Sequence, residues 1–251
     1  MNAVGQAALL VSFPVAAGAI GSTVAAVRRP GSRLVSGIQH FAAGVVIAAL
    51  AGELLPDLRH EGNLGWVAAG FTAGVVLVLS LAAYGRRLDG KQESTPRTST
   101  GDRVAATVSI GLLVTAAIDL LVDGVLVGLG AQLGSTQALI LTIALTLEIL
   151  FLSLSLAAEL NDRGLSARRA ALICTALGMG TAVGAIAAAA ILSGVGPAVL
   201  AFVLAFGAAA LLYLAVEELL VEAHEEAETA LLGAMFFAGF LAIYVLAELG
   251  G

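Results

Sequence analysis

Of the 251 residues, 59% are hydrophobic and only 12% are charged, with a mean hydropathy of +1.01, whereas a water-soluble domain carries about 25% charged residues. So few polar groups cannot cover a soluble surface, which leaves lipid as the natural solvent of the chain. A net charge of −6 with a single Lys excludes a nucleic-acid partner, and the lone Cys174 excludes an intrachain disulfide or a thiolate metal cluster.

A spanning helix needs about 20 mostly apolar residues. In chain order, such stretches are predicted at 6–27, 35–56, 63–85, 104–131, 137–160, 166–193, 198–221 and 228–249, here segments 1 to 8. Together they predict an all-α membrane protein with eight transmembrane helices in a single transmembrane domain, residues 1–251. Segment 1 lacks the positive flank and the small-residue cleavage site of a secretory signal and is read as a retained helix. Segment 2 contains His40, read as interfacial, and ends in Glu53-Leu-Leu-Pro-Asp57. Trp66 stands at the start of segment 3, where a belt residue is expected. The stretch 86–103, RRLDGKQESTPRTSTGDR, is polar, with Pro and Ser/Thr, and is expected to be a loop between helices 3 and 4. Segment 4 carries Asp119 and Asp123, and segment 5 carries Glu148. Segment 7 ends in Glu217, Glu218 and Glu222, followed by His224.

Charge sets the orientation. The first connection holds Arg28, Arg29 and Arg33. The third holds Arg86, Arg87, Lys91, Arg97 and Arg103, and the fifth holds Arg163, Arg168 and Arg169. Eleven of the twelve basic residues thus fall on one side, and only Arg59 on the other. Positive charge marks the cytoplasmic side, so the 86–103 loop is expected in the cytoplasm and both termini outside.

Segments 2 and 7 end alike, in Glu53-Leu-Leu-Pro-Asp57 and Glu218-Leu-Leu-Val-Glu222, with Gly44 and Gly207 before them. They would run in opposite directions, as in a transporter built from an inverted repeat. Leu-rich helices with charged ends also look alike without any repeat.

A carboxylate near the bilayer centre costs roughly 2.5–3.5 kcal/mol on insertion scales. Asp119, Asp123 and Glu148 are all near the middle of their segments. Asp119 and Asp123 are four residues apart and share one helix face, where two ionised acids repel. No Lys, Arg or His lies at comparable depth, so a proton or a cation must neutralise them. Three carboxylates suit a divalent ion. The alternative is protonated acids bonded to backbone carbonyls or to Thr115, Thr142, Thr146 or Ser153. Glu53, Glu218, Glu222 and His224 are candidates for the paths into and out of the site, although charges at helix ends also simply meet water.

These residues resemble the ZIP (Zrt- and Irt-like) family of metal transporters over most of the chain. In segment 2, AAGVVIAALAGELLPDL is similar to the family's Gly-rich helix ending in a His-Leu-Leu-Pro type stretch. In segment 7, FGAAALLYLAVEELLVEAHEE resembles the family's ending Glu-Leu-x-Pro-Glu-Ala-His, with Val221 where proline is usual. Gly164-Leu-Ser-Ala-Arg-Arg-Ala170 is similar to the family's turn after helix 5. The resemblance implies a ZIP-like 3+2+3 arrangement with an inverted repeat. It also implies that a divalent metal ion (zinc, manganese, iron or another) is the substrate, with no other cofactor.

The metal motifs match in part. Where the family's helix 4 has His-Asn-x-x-Asp/Glu-Gly, this chain has Asp119-Leu-Leu-Val-Asp123-Gly124. Where helix 5 has His-Glu-x-x-His/Glu-Gly, it has Glu148-Ile-Leu-Phe-Leu-Ser153. By resemblance, one half of a two-metal site persists as Asp119, Asp123 and Glu148. The other half is lost at Leu120, Ile149, Leu152 and Thr181. An all-oxygen site suits Mn²⁺, Mg²⁺ or Ca²⁺, and Zn²⁺ and Fe²⁺ also accept carboxylates. The expected partners are the metal ion, the lipid of a plasma (inner) membrane and a second copy in a homodimer.

Two other functions compete. A transport-inactive or sensory ZIP-like relative would use protonated acids only to hold helices together. An intramembrane enzyme would need two carboxylates facing across one reacting group, and Asp119 and Asp123 on one helix suit that badly. The chain also shows no Gly-x-Ser-x-Gly and no His-Glu-x-x-His motif.

Overall fold

The computed structural model describes residues 2–27, 31–60, 63–93, 110–133, 135–224 and 229–250, and every regular element among them is helical. Eight helices are long and apolar enough to cross a membrane. They are α1 (Ala3–Val27), α2 (Ser32–Arg59), α3 (Leu64–Glu93), α4 (Ile110–Leu133), α5 (Ser135–Asp162), α6 (Ala167–Ile191), α7 (Pro197–Leu219) and α8 (Ala230–Gly250). Helix α3 continues past Gly85 to Glu93. The first eight residues of the stretch expected to be loop are therefore helical, and residues 94–103 lie outside the described residues.

The packing partners come in matched pairs. Helix α1 lies along α5, and α6 lies along α4. Helix α2 lies along α8, and α7 lies along α3, while α1 and α6 pack on each other. Exchanging α1–α3 with α6–α8, and α4 with α5, returns the same set of contacts. Five crossings separate the members of each pair, so the two triplets run in opposite directions. This is a 3+2+3 bundle with an inverted repeat.

Small residues make the matched contacts possible, because in lipid helices associate by close packing. A methyl group on Gly239 of α8 would strike the Phe41 carbonyl of α2, and one on Gly70 of α3 would strike the Phe202 carbonyl of α7. These are equivalent seams in the two halves. Gly44 and Gly207, expected to mark the repeat, do not correspond: Gly44 meets the Phe236 backbone, whereas Gly207 meets the Leu126 side chain of α4. The clearest internal correspondence is a widened turn. In α2, over Leu50–Leu54, the Leu55 N–H bonds to the Leu50 carbonyl five residues back. In α7, over Leu214–Leu219, the Leu220 N–H bonds to the Ala215 carbonyl. Pro56 follows the first, and it lacks an N–H and crowds the turn before it. Val221 follows the second, so proline is not required for this turn. Such turns re-aim side chains and recur at functional sites; here they carry Glu53 and Glu218.

The outward faces of α3 and α8 are apolar, with Val76, Leu79, Phe237 and Leu241 exposed, as lipid contact requires. Between α5 and α6, Gly164 adopts φ 92°. Its N–H bonds to the Asn161 carbonyl, and the Leu165 N–H bonds to the Leu160 carbonyl, a helix stop that glycine permits without strain.

Candidate metal centre

Helix α4 places Asp119 and Asp123 on one face, one turn apart. Helix α5, antiparallel to it, brings Glu148 to the same level. One carboxylate oxygen from each lies within 4.8 Å of the others. Ligands about 2.0–2.6 Å from a shared cation stand at most about 5.2 Å apart, so the separation is compatible with one ion between them. Asp123 and Glu148 are each only 1% exposed. Asp123 Oδ2 and both Glu148 oxygens have no hydrogen-bond partner, and among the described residues no basic side chain is paired with any of the three acids. Buried acceptors of this kind are costly unless something supplies positive charge or a proton.

Two of the hydroxyls that could have capped these acids are engaged within their own helix. Thr142 Oγ1 donates to the Ala138 carbonyl and Thr146 Oγ1 to the Thr142 carbonyl, the usual backbone bond of a helical threonine. Thr181 on α6 is fully buried, and its hydroxyl has no partner. The backbone of Thr181 presses on Gly124, the neighbour of Asp123, and Gly184 presses in return on the Leu121 carbonyl. Neither glycine has room for a side chain. This seam holds the acid-bearing stretch of α4 against α6.

A cavity of about 20 Å³ opens among Gln39, Asp119, Glu148, Leu152 and Glu218, about one water in size. Asp119 and Glu218 also line a second cavity of about 30 Å³ on the side of α3, with Thr115 and Tyr213. These two acids therefore stand between the two spaces. Glu218 acts electrostatically on Asp119, Asp123 and Glu148 alike. The widened turn of α7 thus places Glu218 at both cavities beside Asp119, where the sequence pointed only to a path residue.

Gln39 was not singled out from the sequence. Its amide is buried, and it lines the cavity with the acids. An isolated Gln inside a Gly- and Ala-rich span was the available signal. Glu53 is buried in the widened turn of α2, with Asp57 as its charged neighbour, and lines neither cavity. The side chain of Glu222 lies outside the described residues. His224 stands at the end of α7 against His40, which is buried within the protein. Leu120 and Ile149, where the resemblance implied the lost half of a two-metal site, are apolar and only 1% and 0% exposed.

The profile of the family described as ZIP zinc transporter matches residues 86–247, more than half of the chain. The chain belongs to the ZIP family. It is a multi-span membrane protein and a metal transporter, as that family is. The matched region contains Asp119, Asp123, Glu148 and Glu218, so the carboxylate group falls within the part of this ZIP protein that carries the family pattern. No curated protein matches the chain in sequence.

Proposed function

We propose that the protein moves a divalent cation through the carboxylate group at the bilayer midplane by alternating access. The supporting observation is the convergence of Asp119, Asp123 and Glu148, with oxygens unpartnered beside a cavity of one water's size. Three carboxylates around one divalent ion leave a formal charge of −1, which a single shared proton cancels. Transfer of that proton helps release the ion. Glu218 guides the ion between the two small cavities, and Glu53 serves the outer path. Rocking of the α1–α3 and α6–α8 triplets about α4 and α5 exposes the group to each side in turn. The arrangement belongs in a plasma or inner membrane with both termini outside, and the all-oxygen ligand set admits Mn²⁺, Zn²⁺ or Fe²⁺.

The test is uptake by the reconstituted protein against a panel of divalent ions, with and without a pH gradient. Uptake that persists unchanged in Asp123→Ala refutes the site. A second reading, a transport-inactive relative, is motivated by the apolar seal at Leu120 and Ile149. Thermal stabilisation by a divalent ion counts against it, because a bound ion stabilises the folded state.

A further inference from the structure

Consecutive helices α2 and α3 do not pack along each other. Gly44 draws α2 onto the Phe236 backbone of α8, and Gly70 draws α3 onto the Phe202 carbonyl of α7. A cleft of about 1140 Å³ is left between the last turns of α2 and the first turns of α3, larger than the roughly 300–1,000 Å³ of a small-molecule site. Its walls are two matched stripes: Ala51, Leu55 and Arg59 on α2, and Leu64, Ala68 and Thr72 on α3. A spacing of four keeps each stripe on one helix face. All six residues are exposed, so the cleft is open to the surroundings of the bundle.

Length and charge together say what fits. Each stripe covers two helical turns, about 12 Å at a rise of about 1.5 Å per residue, close to the roughly 15 Å of hydrocarbon in one leaflet. The occupant must therefore be apolar over most of a leaflet's depth. At the end of the α2 span stands Arg59, the only charge among the described lining residues and the only basic residue that the sequence places on this side of the membrane. A guanidinium is a fork for phosphate oxygens. No carboxylate is among the described lining residues to receive a choline or ethanolamine nitrogen.

We propose that the cleft between α2 and α3 is a binding site for one phospholipid of net negative charge, with its phosphate on Arg59 and an acyl chain along the two apolar stripes. The lipid fills the gap that the close packing of α2 on α8 and of α3 on α7 leaves open, and so braces the end of α2 that follows its widened turn. The site rests on the membrane-spanning fold and is independent of the transport reading.

The experiment uses the full-length protein in phosphatidylcholine nanodiscs, with Trp66 as the reporter. Trp66 is the only tryptophan of the chain, and it stands on α3 between the lining residues Leu64 and Val67. Brominated phosphatidylglycerol or brominated phosphatidylcholine is added at the same low share of the lipid, and quenching of the Trp66 fluorescence reads the relative occupancy. The expected result is a preference of about fivefold for phosphatidylglycerol, the gain that one basic residue gives an anionic lipid, and its decline in high salt. Arg59→Gln should abolish the preference, and Arg169→Gln, at the other side of the membrane, should leave it unchanged. Ala68→Phe fills the cleft while keeping the arginine, and should abolish it too. Arg59 and Ala68 are exposed, so both changes spare the fold. Equal quenching by the two lipids overturns the proposal and leaves ordinary boundary lipid. A preference that survives Ala68→Phe overturns it as well, since charge alone then attracts the lipid without a cleft. Weak quenching by both lipids that rises only in discs holding a single chain gives the cleft to a second copy instead.

Discussion

The widened turns of α2 and α7 are the same device placed twice. Each inserts a residue into a Leu-rich helix, each carries glutamate, and the inverted repeat puts them in equivalent positions of opposite halves. Their surroundings differ. Glu53 has Asp57 as its charged neighbour and lines neither small cavity, whereas Glu218 faces three acids and lines both. The backbone is symmetric and the chemistry is not, because α4 and α5 place their carboxylates on the α7 side of the bundle. A transporter can rock on a symmetric scaffold and still hold its ion at one asymmetric place.

The largest expected effect tests the centre of that asymmetry. Asp123→Ala or Glu148→Ala should reduce divalent-ion uptake in vesicles to the background of empty liposomes. Next comes ligand-linked stability. A cation at about 100 times its Kd should raise stability by about 2.7 kcal/mol, seen as a higher unfolding temperature in detergent. That rise should vanish in Asp123→Asn/Glu148→Gln and persist in Glu53→Gln.

A comparable loss is expected on the seam behind the acids. Gly124→Leu or Gly184→Leu forces α4 from α6 and should cost about 1–3 kcal/mol or more. The unfolding temperature should fall with or without metal. The direct comparison of the two turns is smaller. Glu218→Gln should lower uptake clearly more than Glu53→Gln, and equal losses would mean that both act only as path charges. The smallest effect is at Ser36→Ala, where loss of the bond to the Ala223 carbonyl should cost about 1 kcal/mol, read from the same unfolding curves.

Much of this was legible along the chain. Eight apolar stretches, the segregation of basic residues and the paired Glu-Leu-Leu endings describe the spans and hint at the repeat. The pair Asp119 and Asp123 follows from a spacing of four, since that interval returns a side chain to the same helix face. Glu148 carried only the cost of burial. Its convergence with the aspartates required knowing which face of α5 turns toward α4. Glu218 was legible only as a candidate for the ion path, because the extra residue in the turn that carries it is not visible in composition. Gln39 and His40 share this difficulty: a polar residue in an apolar span announces that it has a partner without naming it.

What the linear order of residues determined by itself is the solvent, the number of crossings and the existence of buried charge, since these depend on hydropathy summed over about 20 residues and on no contact at all. What the tertiary structure alone decided is which charges meet. Close approach of small residues sets how helices rotate against each other, and that rotation gathered Asp119, Asp123 and Glu148 together, set Glu218 at the edge of their cavity, left Glu53 apart, and set His40 against His224.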